Sequence, residues 1–235
     1  MNGNINFNTR KKGYYRDKEV KNAINTFQAL TSEQICYLHF KDIRNWNHAL
    51  IKTRERLRNI KGINKIKIDI YGKPYCYYID KKPKDKNFLH IINRNWGLIY
   101  LINLNNYFKL DDIKHEYVLG NIQPDSFTRF YSEKGNKYSY WFIESDRSDS
   151  HNKFTKIKQY NEMYQNNMWA NEYWNMDKIY KPDYFPKILI VSDTLRRIDT
   201  ILECVRQENK EKLDFYIISV QEIKNNLINS FNVRQ

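Results

Sequence analysis

The sequence has few of the features that build a disulfide framework, a zinc site or a membrane span. Its three cysteines, Cys36, Cys76 and Cys204, are far apart and show no C-x-x-C spacing, so neither a disulfide framework nor a zinc site is predicted. The longest apolar stretch, around residues 96–104, is far shorter than the ~20 residues that span a bilayer. The five histidines are not clustered as a metal triad would be, which argues against a relaxase. These absences predict a protein of the reducing cytoplasm with no membrane partner.

Positive charge is abundant, and it is concentrated in the first third of the chain. Residues 1–82 hold 18 Lys and Arg against 7 Asp and Glu, which gives this segment +11 of the net +13 carried by the whole chain. Residues 83–235 hold 22 against 20. A compositional bias would act on both parts alike, so the asymmetry indicates that the first part binds a polyanion, of which nucleic acid is the most available.

Length and pattern together predict two domains. With 235 residues, 41% of them hydrophobic, the chain is long enough for one or two packed cores. The first ten residues lack the apolar core of a signal peptide, and we expect residues 1–13 to form a flexible basic arm. A run of lysines around Pro83 predicts a linker at 83–87. The prediction is therefore a first domain at 14–82 and a second domain at 88–235.

The first domain shows three helical patterns. Apolar residues at helical spacing from Val20 to Phe27 predict a first helix that ends near Leu30. Thr31 and Gln34 form a capping-box pattern at the start of a short second helix. A third helix is predicted from about residue 45 to residue 60, because apolar residues repeat there every three or four positions.

A basic hairpin pattern follows these helices. Isoleucines alternate with charged residues over 65–70, residues 71–74 turn the chain, and residues 75–79 alternate again. Three helices and a hairpin are the order of a winged helix-turn-helix, whose third helix enters the DNA major groove. The candidate DNA-binding residues are the polar residues on the outer face of the third helix and the hairpin lysines: Asn45, His48, Lys52, Arg56, Asn59, Lys65, Lys67 and Lys73. For the helix alone, an ordinary solvated face is the alternative interpretation.

The second domain is predicted to be an α/β domain with a mixed sheet. Residues 88–104 have helical periodicity and are expected to pack on a sheet that begins with a hairpin of strands 126–131 and 138–144. The further predicted elements are a helix with Phe154, Ile157, Tyr160 and Tyr164 on one face, a buried strand at 188–191, a helix from Thr194 capped by Asp193, and a strand at 215–218.

Three carboxylates are predicted to meet at neighbouring strand ends. Asp125 begins one strand of the hairpin, and Glu144 and Asp146 lie on one face at the end of the other. Such a cluster could hold Mg²⁺ and activate a water for phosphodiester cleavage, as in a PD-(D/E)XK nuclease. Asp146 stands where that pattern has a lysine, although Lys153 or Lys156 could supply an ammonium from the next helix. We expect a restriction-endonuclease-like domain that is catalytically inactive and holds no metal; an active site of Asp125, Glu144, Asp146 and Lys156 is the alternative.

The whole layout resembles the replication-relaxation family of plasmid and phage proteins. The resemblance rests on the N-terminal winged helix, on Pro124-Asp125 opening a strand, on the strand end Tyr140-Trp-Phe-Ile-Glu144-Ser-Asp146, on Phe154 to Tyr160, and on the strand from Phe185 to Ser192. In that family the E-x-D at this place is expected, which favours an inactive nuclease-like domain.

Membership would imply a double-stranded DNA-binding accessory or regulatory protein of plasmid or phage replication or mobilisation. The second domain would then form a homodimer or contact a replication or relaxase protein. A metal-dependent endonuclease and a transcriptional regulator are the alternative functions.

Overall fold

The structure is a computed structural model, and it describes residues 4–68, 74–84, 87–104, 112–132, 137–147, 153–167, 169–172, 174–175 and 185–232. In these ranges the chain forms seven helices and eight strands in a mixed α+β architecture. The helices are α1 (Asn4–Thr26), α2 (Ser32–His39), α3 (Trp46–Asn59), α4 (Phe88–Leu104), α5 (Lys156–Gln165), α6 (Leu195–Glu208) and α7 (Val220–Asn232). The strands are β1 (Leu30–Thr31), β2 (Asn64–Lys67), β3 (Tyr75–Tyr78), β4 (Lys114–His115), β5 (Ser126–Ser132), β6 (Lys137–Asp146), β7 (Lys187–Ser192) and β8 (Phe215–Ser219). Within the same ranges, no helix has both the length and the hydropathy that crossing a membrane requires.

The chain divides into two compact units, and the division falls inside α4. One unit is Met1–Asn95 with Asn226–Gln235, and the other is Trp96–Asn225. The predicted linker, at 83–87, lies before this division. The first turns of α4 belong to the first unit because they hydrogen-bond within it: the Gln34 side chain donates to the Ile92 carbonyl at 2.8 Å, and Asn95 donates to the Ala29 carbonyl at 2.7 Å. The predicted linker at 83–87 therefore follows the hairpin but does not end the unit.

The first unit packs α1, α2 and α3 with a three-stranded antiparallel sheet. The strand order is β1-β3-β2. The apolar side chains at helical spacing toward the end of α1 are fully buried: Val20, Ala23, Ile24 and Phe27. The predicted capping box is confirmed, since the Thr31 amide donates to Gln34 Oε1 at 3.0 Å and the Gln34 amide donates to Thr31 Oγ1 at 3.2 Å.

Helix α1 differs from the prediction at both ends. It begins at Asn4, so the segment expected to be a flexible arm is helical from that residue onward. The prediction followed apolar spacing, which starts only at Val20, and the polar residues before it carry no such signal. The helix ends at Thr26 and not near Leu30, because Gln28 takes a left-handed backbone conformation with φ of 68°. Leu30 belongs to β1.

The second unit contains a five-stranded mixed sheet of order β4-β5-β6-β7-β8. The predicted hairpin is confirmed by the antiparallel pairing of β5 with β6, whereas β6, β7 and β8 are parallel. One face of the sheet packs against α5 and α6 through a cluster that includes Phe142, Tyr160 and Ile201. The other face meets α4 at Gly97, where an added Cβ would lie 2.6 Å from Val191 Cγ2. The predicted packing of this helix on the sheet is therefore confirmed at Gly97.

One local prediction in this unit was wrong. Thr194 and not Asp193 caps α6, because its hydroxyl accepts a hydrogen bond from the Arg197 amide at 3.3 Å. Both residue types are good caps, so the sequence alone does not choose between them. Tyr164 lies on the predicted face of α5, since it packs on Phe185 as Tyr160 does, but it is 37% exposed, whereas Ile157 and Tyr160 are fully buried.

Candidate functional site

Helix α3 is fixed by its cap and its buried side. The Asn45 side chain accepts a hydrogen bond from the His48 amide at 3.0 Å and so satisfies one of the unpaired donors at the helix start. Ala49, Thr53 and Leu57 are buried. Asn45 was predicted to contact DNA, but its carbonyl oxygen is engaged as the cap, so a bidentate contact with adenine would require the cap to open.

Arg56 was also predicted to contact DNA, and the structure gives it a different role. Its guanidinium makes two hydrogen bonds to Asp17 of α1, from Nε and Nη2, both at 2.6 Å. Paired contacts of this kind are among the strongest that Arg makes with a carboxylate. Arg56 therefore braces α1 against α3. No sequence pattern signals this contact, because Asp17 is 39 positions away.

The other predicted residues of α3 lie at the surface. His48, Lys52 and Asn59 are exposed, as expected. Lys52 pairs with Glu55 at 2.9 Å, and the hydrogen bond from Lys52, followed by its charge, lowers the pKa of Glu55. Both side chains are about half exposed, so the pair is weak and easily exchanged for another partner. Asn59 donates to the Glu55 carbonyl at 3.1 Å.

The predicted alternation is seen in β2, where Ile66 is less exposed than Lys65 and Lys67, but not in β3, where Tyr75 is exposed and Cys76 and Tyr77 are both buried. Lys65 pairs across the ladder with Tyr77 and Lys67 with Tyr75, so these four residues share one face. Both lysines are exposed, and the Lys65 ammonium lies 5.2 Å from the centre of the Tyr75 ring. The turn of the hairpin, with Lys73, lies outside the described residues.

Two arginines that the sequence-based prediction missed complete this surface. Arg54 and Arg58 are exposed on α3, one helical turn apart. Together with Lys65 and Tyr75 they line an open cleft of about 570 Å³ between α3 and the hairpin. The floor of the cleft is apolar, formed in part by Leu57 and Tyr77. Helical spacing alone could have identified the arginine pair, but only the packing of α3 beside β2 shows that it adjoins the hairpin.

In the second unit, Asp125 and Glu144 share one ammonium. Lys156 of α5 donates to Glu144 Oε2 and lies 3.7 Å from Asp125 Oδ1. Tyr160 donates to Glu144 Oε1 at 2.7 Å, and the Ser145 amide donates to Asp125 Oδ2 at 2.7 Å. Of the two lysines that the alternative interpretation named as a source of this ammonium, Lys153 and Lys156, it is Lys156 that reaches the carboxylates.

Burial governs the ionisation of this cluster. Burial, and then repulsion from Asp125, raises the pKa of Glu144 to about 7 despite the hydrogen bonds from Lys156 and Tyr160. Burial alone would lower the pKa of Lys156, but the attraction of Glu144 and Asp125 outweighs it and raises that pKa. Burial and the neighbouring Glu144 raise the pKa of Tyr160 well above its usual value, so its hydroxyl stays a donor.

Asp146 belongs to a different contact. It lies on the same sheet face as Glu144, as predicted, because β6 pairs Glu144 with Ile190 and Asp146 with Ser192. Its Oδ2 accepts a hydrogen bond from Arg197 Nε of α6 at 2.7 Å, and both side chains are almost completely buried. Across the described part of the chain, no three His, Cys, Asp or Glu side chains are grouped so that they could hold a metal ion.

Comparisons with known proteins found no match to this chain among family models, curated proteins or solved structures. The resemblance to the replication-relaxation family therefore stays a prediction.

Proposed function

We propose that the first unit is a winged helix that binds double-stranded DNA. The proposal is supported by the element order α1-β1-α2-α3-β2-β3 and by the antiparallel sheet β1-β3-β2. The observation that carries it is the basic surface that α3 and the hairpin form together, with Arg54, Arg58 and Lys65 lining one cleft. Such a surface attracts the phosphate backbone, and α3 beside it has the dimensions that fit the major groove.

The biological setting follows from the family resemblance. We propose an accessory or regulatory role in plasmid or phage replication or mobilisation, with the second unit used for homodimer formation or for contact with a replication or relaxase protein. Mapping the bound DNA in the native host tests this role. Sites beside a replication or transfer origin would support it, whereas sites beside promoters would support a transcriptional regulator.

We expect binding of the full chain to duplex DNA to weaken steeply with salt, and we expect the hairpin lysines to contribute to that dependence. In the variant Lys65→Ala/Lys67→Ala, the slope of log affinity against log salt should fall by about one for each phosphate that the protein no longer neutralises, because fewer counterions are released. Titrations of a fluorescent duplex at several salt concentrations measure the slope.

The matched control for this titration removes two exposed lysines of the second unit, Lys153→Ala/Lys210→Ala. It lowers the net charge by the same amount and should leave the slope unchanged. Equal slopes for the hairpin variant and the unsubstituted protein would contradict the assignment of the hairpin to the DNA.

The alternative function, a metal-dependent endonuclease, gains one observation from the second unit, which is the position of Lys156 beside Asp125 and Glu144. The rest of the geometry opposes it. Tyr160 and Lys156 occupy the oxygens of Glu144, and Arg197 occupies an oxygen of Asp146, whereas Mg²⁺ needs carboxylate oxygens that can reach it together.

We therefore expect no Mg²⁺-dependent or Mn²⁺-dependent nicking of supercoiled plasmid by the full chain. Gel separation of supercoiled, nicked and linear plasmid measures this. Nicking that disappears in both Glu144→Ala and Asp125→Ala would overturn the expectation and would favour the endonuclease; nicking that persists in both variants would point to a contaminating nuclease.

A further inference from the structure

The exposed residues of α3 form two strips, and they differ in their distance from the hairpin. The hairpin strip, spaced by four, three and four positions, consists of Asn47, Ile51, Arg54 and Arg58, all of them exposed. The outer strip is the one predicted from the sequence, and its exposed members are His48, Lys52 and Asn59 together with Glu55, which the prediction did not include. Which strip meets DNA is a question that rests on the proposed function, since it presumes that α3 enters a groove.

The cleft distinguishes the two strips. Arg54 and Arg58 line it together with Lys65 and Tyr75 of the hairpin, whereas no residue of the outer strip does. In a winged helix the third helix and the hairpin contact the same duplex. The side of α3 that adjoins the hairpin is therefore the side that the duplex approaches.

The hydrogen bonds of α3 favour the same strip. On the predicted side, Asn45 caps the helix, Arg56 braces α1 through Asp17, and Lys52 pairs with Glu55. In the described part of the chain, Arg54 and Arg58 take part in no ion pair. Ile51 is a large apolar side chain, yet it is 52% exposed and lies between two polar residues of its strip.

We infer that α3 reads the major groove through the hairpin strip and not through the outer strip. The chemistry of its members fits base edges: each Arg can donate two hydrogen bonds to guanine O6 and N7, Asn47 can pair with adenine, and Ile51 can contact a thymine methyl group. Lys65 and Lys67 then contact phosphates beside the groove.

The test compares charge-conserving substitutions on the two strips of the same helix. The preferred duplex is first selected from a random library with the unsubstituted full chain. Affinities for that duplex and for a random duplex are then measured for Arg54→Lys and Arg58→Lys, with His48→Gln and Lys52→Arg as matched controls. All four positions are exposed, and a thermal melt of each variant checks that the fold is retained.

We expect Arg54→Lys and Arg58→Lys each to lower affinity for the preferred duplex by about 10-fold or more, and for random duplex by much less, because lysine keeps the charge but cannot make the two-point contact. The selected sequence should lose its preference for guanine at one or two positions. The control variants should keep both affinity and preference.

Three results would overturn the inference. The first is a change of the selected sequence in the control variants and not in the arginine variants. The second is an equal loss of affinity on both duplexes in the arginine variants, which indicates backbone contact alone, and the third is no loss at all in those variants. Absence of duplex binding by the unsubstituted protein would instead contradict the proposed function, and the inference with it.

Discussion

Replacing Lys156 with methionine is expected to lower the free energy of unfolding at pH 8 by about 3 kcal/mol, the lower end of the range for a broken buried ion pair. The substitution leaves Glu144 and Asp125 without the ammonium that they share, and the Glu144 side chain is only 2% exposed. We choose the lower end because 31% of the Lys156 side chain is exposed, so water screens part of the interaction. Urea denaturation measures the loss.

The loss should become smaller at pH 5. The pKa of Glu144 in the folded protein, about 7, lies above the value of 4.5 for an ordinary Glu, so its protonated form stabilises the fold below pH 4.5 and this contribution is lost as the pH rises through 7. In Lys156→Met, a protonated Glu144 no longer needs a cation. Burial, and then Arg16 and Lys41, lower the pKa of His39 to about 4. The lowered pKa reduces the free energy of unfolding at pH 5 by the same amount in the unsubstituted protein and in Lys156→Met, so it cancels in the comparison.

Two controls isolate the charge cluster. Lys153→Met removes an exposed lysine three positions away and should cost less than about 0.5 kcal/mol, as surface substitutions usually do. In a Glu144→Gln background, Lys156→Met should lower the free energy of unfolding by clearly less than it does in the unsubstituted protein. Equal losses at pH 5 and pH 8, or an equal loss in the Gln background, would show that Lys156 contributes through packing alone.

Gly97→Ala is the second change with a large expected effect, a loss of about 1 to 3 kcal/mol in the free energy of unfolding. Alanine favours a helix interior over glycine by up to about 1 kcal/mol, so local propensity predicts the opposite sign. Packing outweighs propensity here because the new Cβ would lie 2.6 Å from Val191 Cγ2 and 3.2 Å from Ile143 Cγ2. Both side chains are β-branched and fully buried, and they cannot rotate away.

Denaturation of a set of variants checks this expectation. Val191→Ala removes the methyl group that the new Cβ would meet, so Gly97→Ala/Val191→Ala should lose less than the sum of the two single losses. Gly13→Ala in α1 is the helical comparison: its Cβ would lie 3.0 Å from Arg56 Nη2, the end of a flexible side chain that can shift by a few tenths of an ångström, so its loss should be smaller than that of Gly97→Ala. A stabilising Gly97→Ala would mean that α4 is free to shift away from the sheet.

The sequence predicts best where one local pattern sets an element. Helix α4 begins where the prediction placed it, and the β5–β6 hairpin and buried strand β7 lie where alternation and apolar runs placed them. Both hydrogen bonds of the predicted α2 capping box are present. The sequence could predict them because they join residues only three positions apart. These features depend on neighbours along the chain, which periodicity reports directly.

The candidate site was predicted less completely. Periodicity located α3 and the alternation located β2 and β3, with Lys65 and Lys67 exposed as expected. The same periodicity also predicted that Arg56 contacts DNA, since helical spacing shows only that a residue lies away from the core. The pairing of Arg56 with Asp17 and the position of Arg54 beside the hairpin depend on how separate elements pack.

By itself, the sequence determined the basic character of the first third of the chain, the periods of most of its helices and strands, and the capping box of α2, because each depends on residues within a few positions of one another. The tertiary structure alone decided which charges are paired. Glu144 lies with Lys156 and Tyr160, Asp146 with Arg197, and Gly97 against Val191. A buried charge needs a partner whatever its distance along the chain, and a helix can approach a sheet closely only where a side chain is missing, so both outcomes were set by the packing of distant segments.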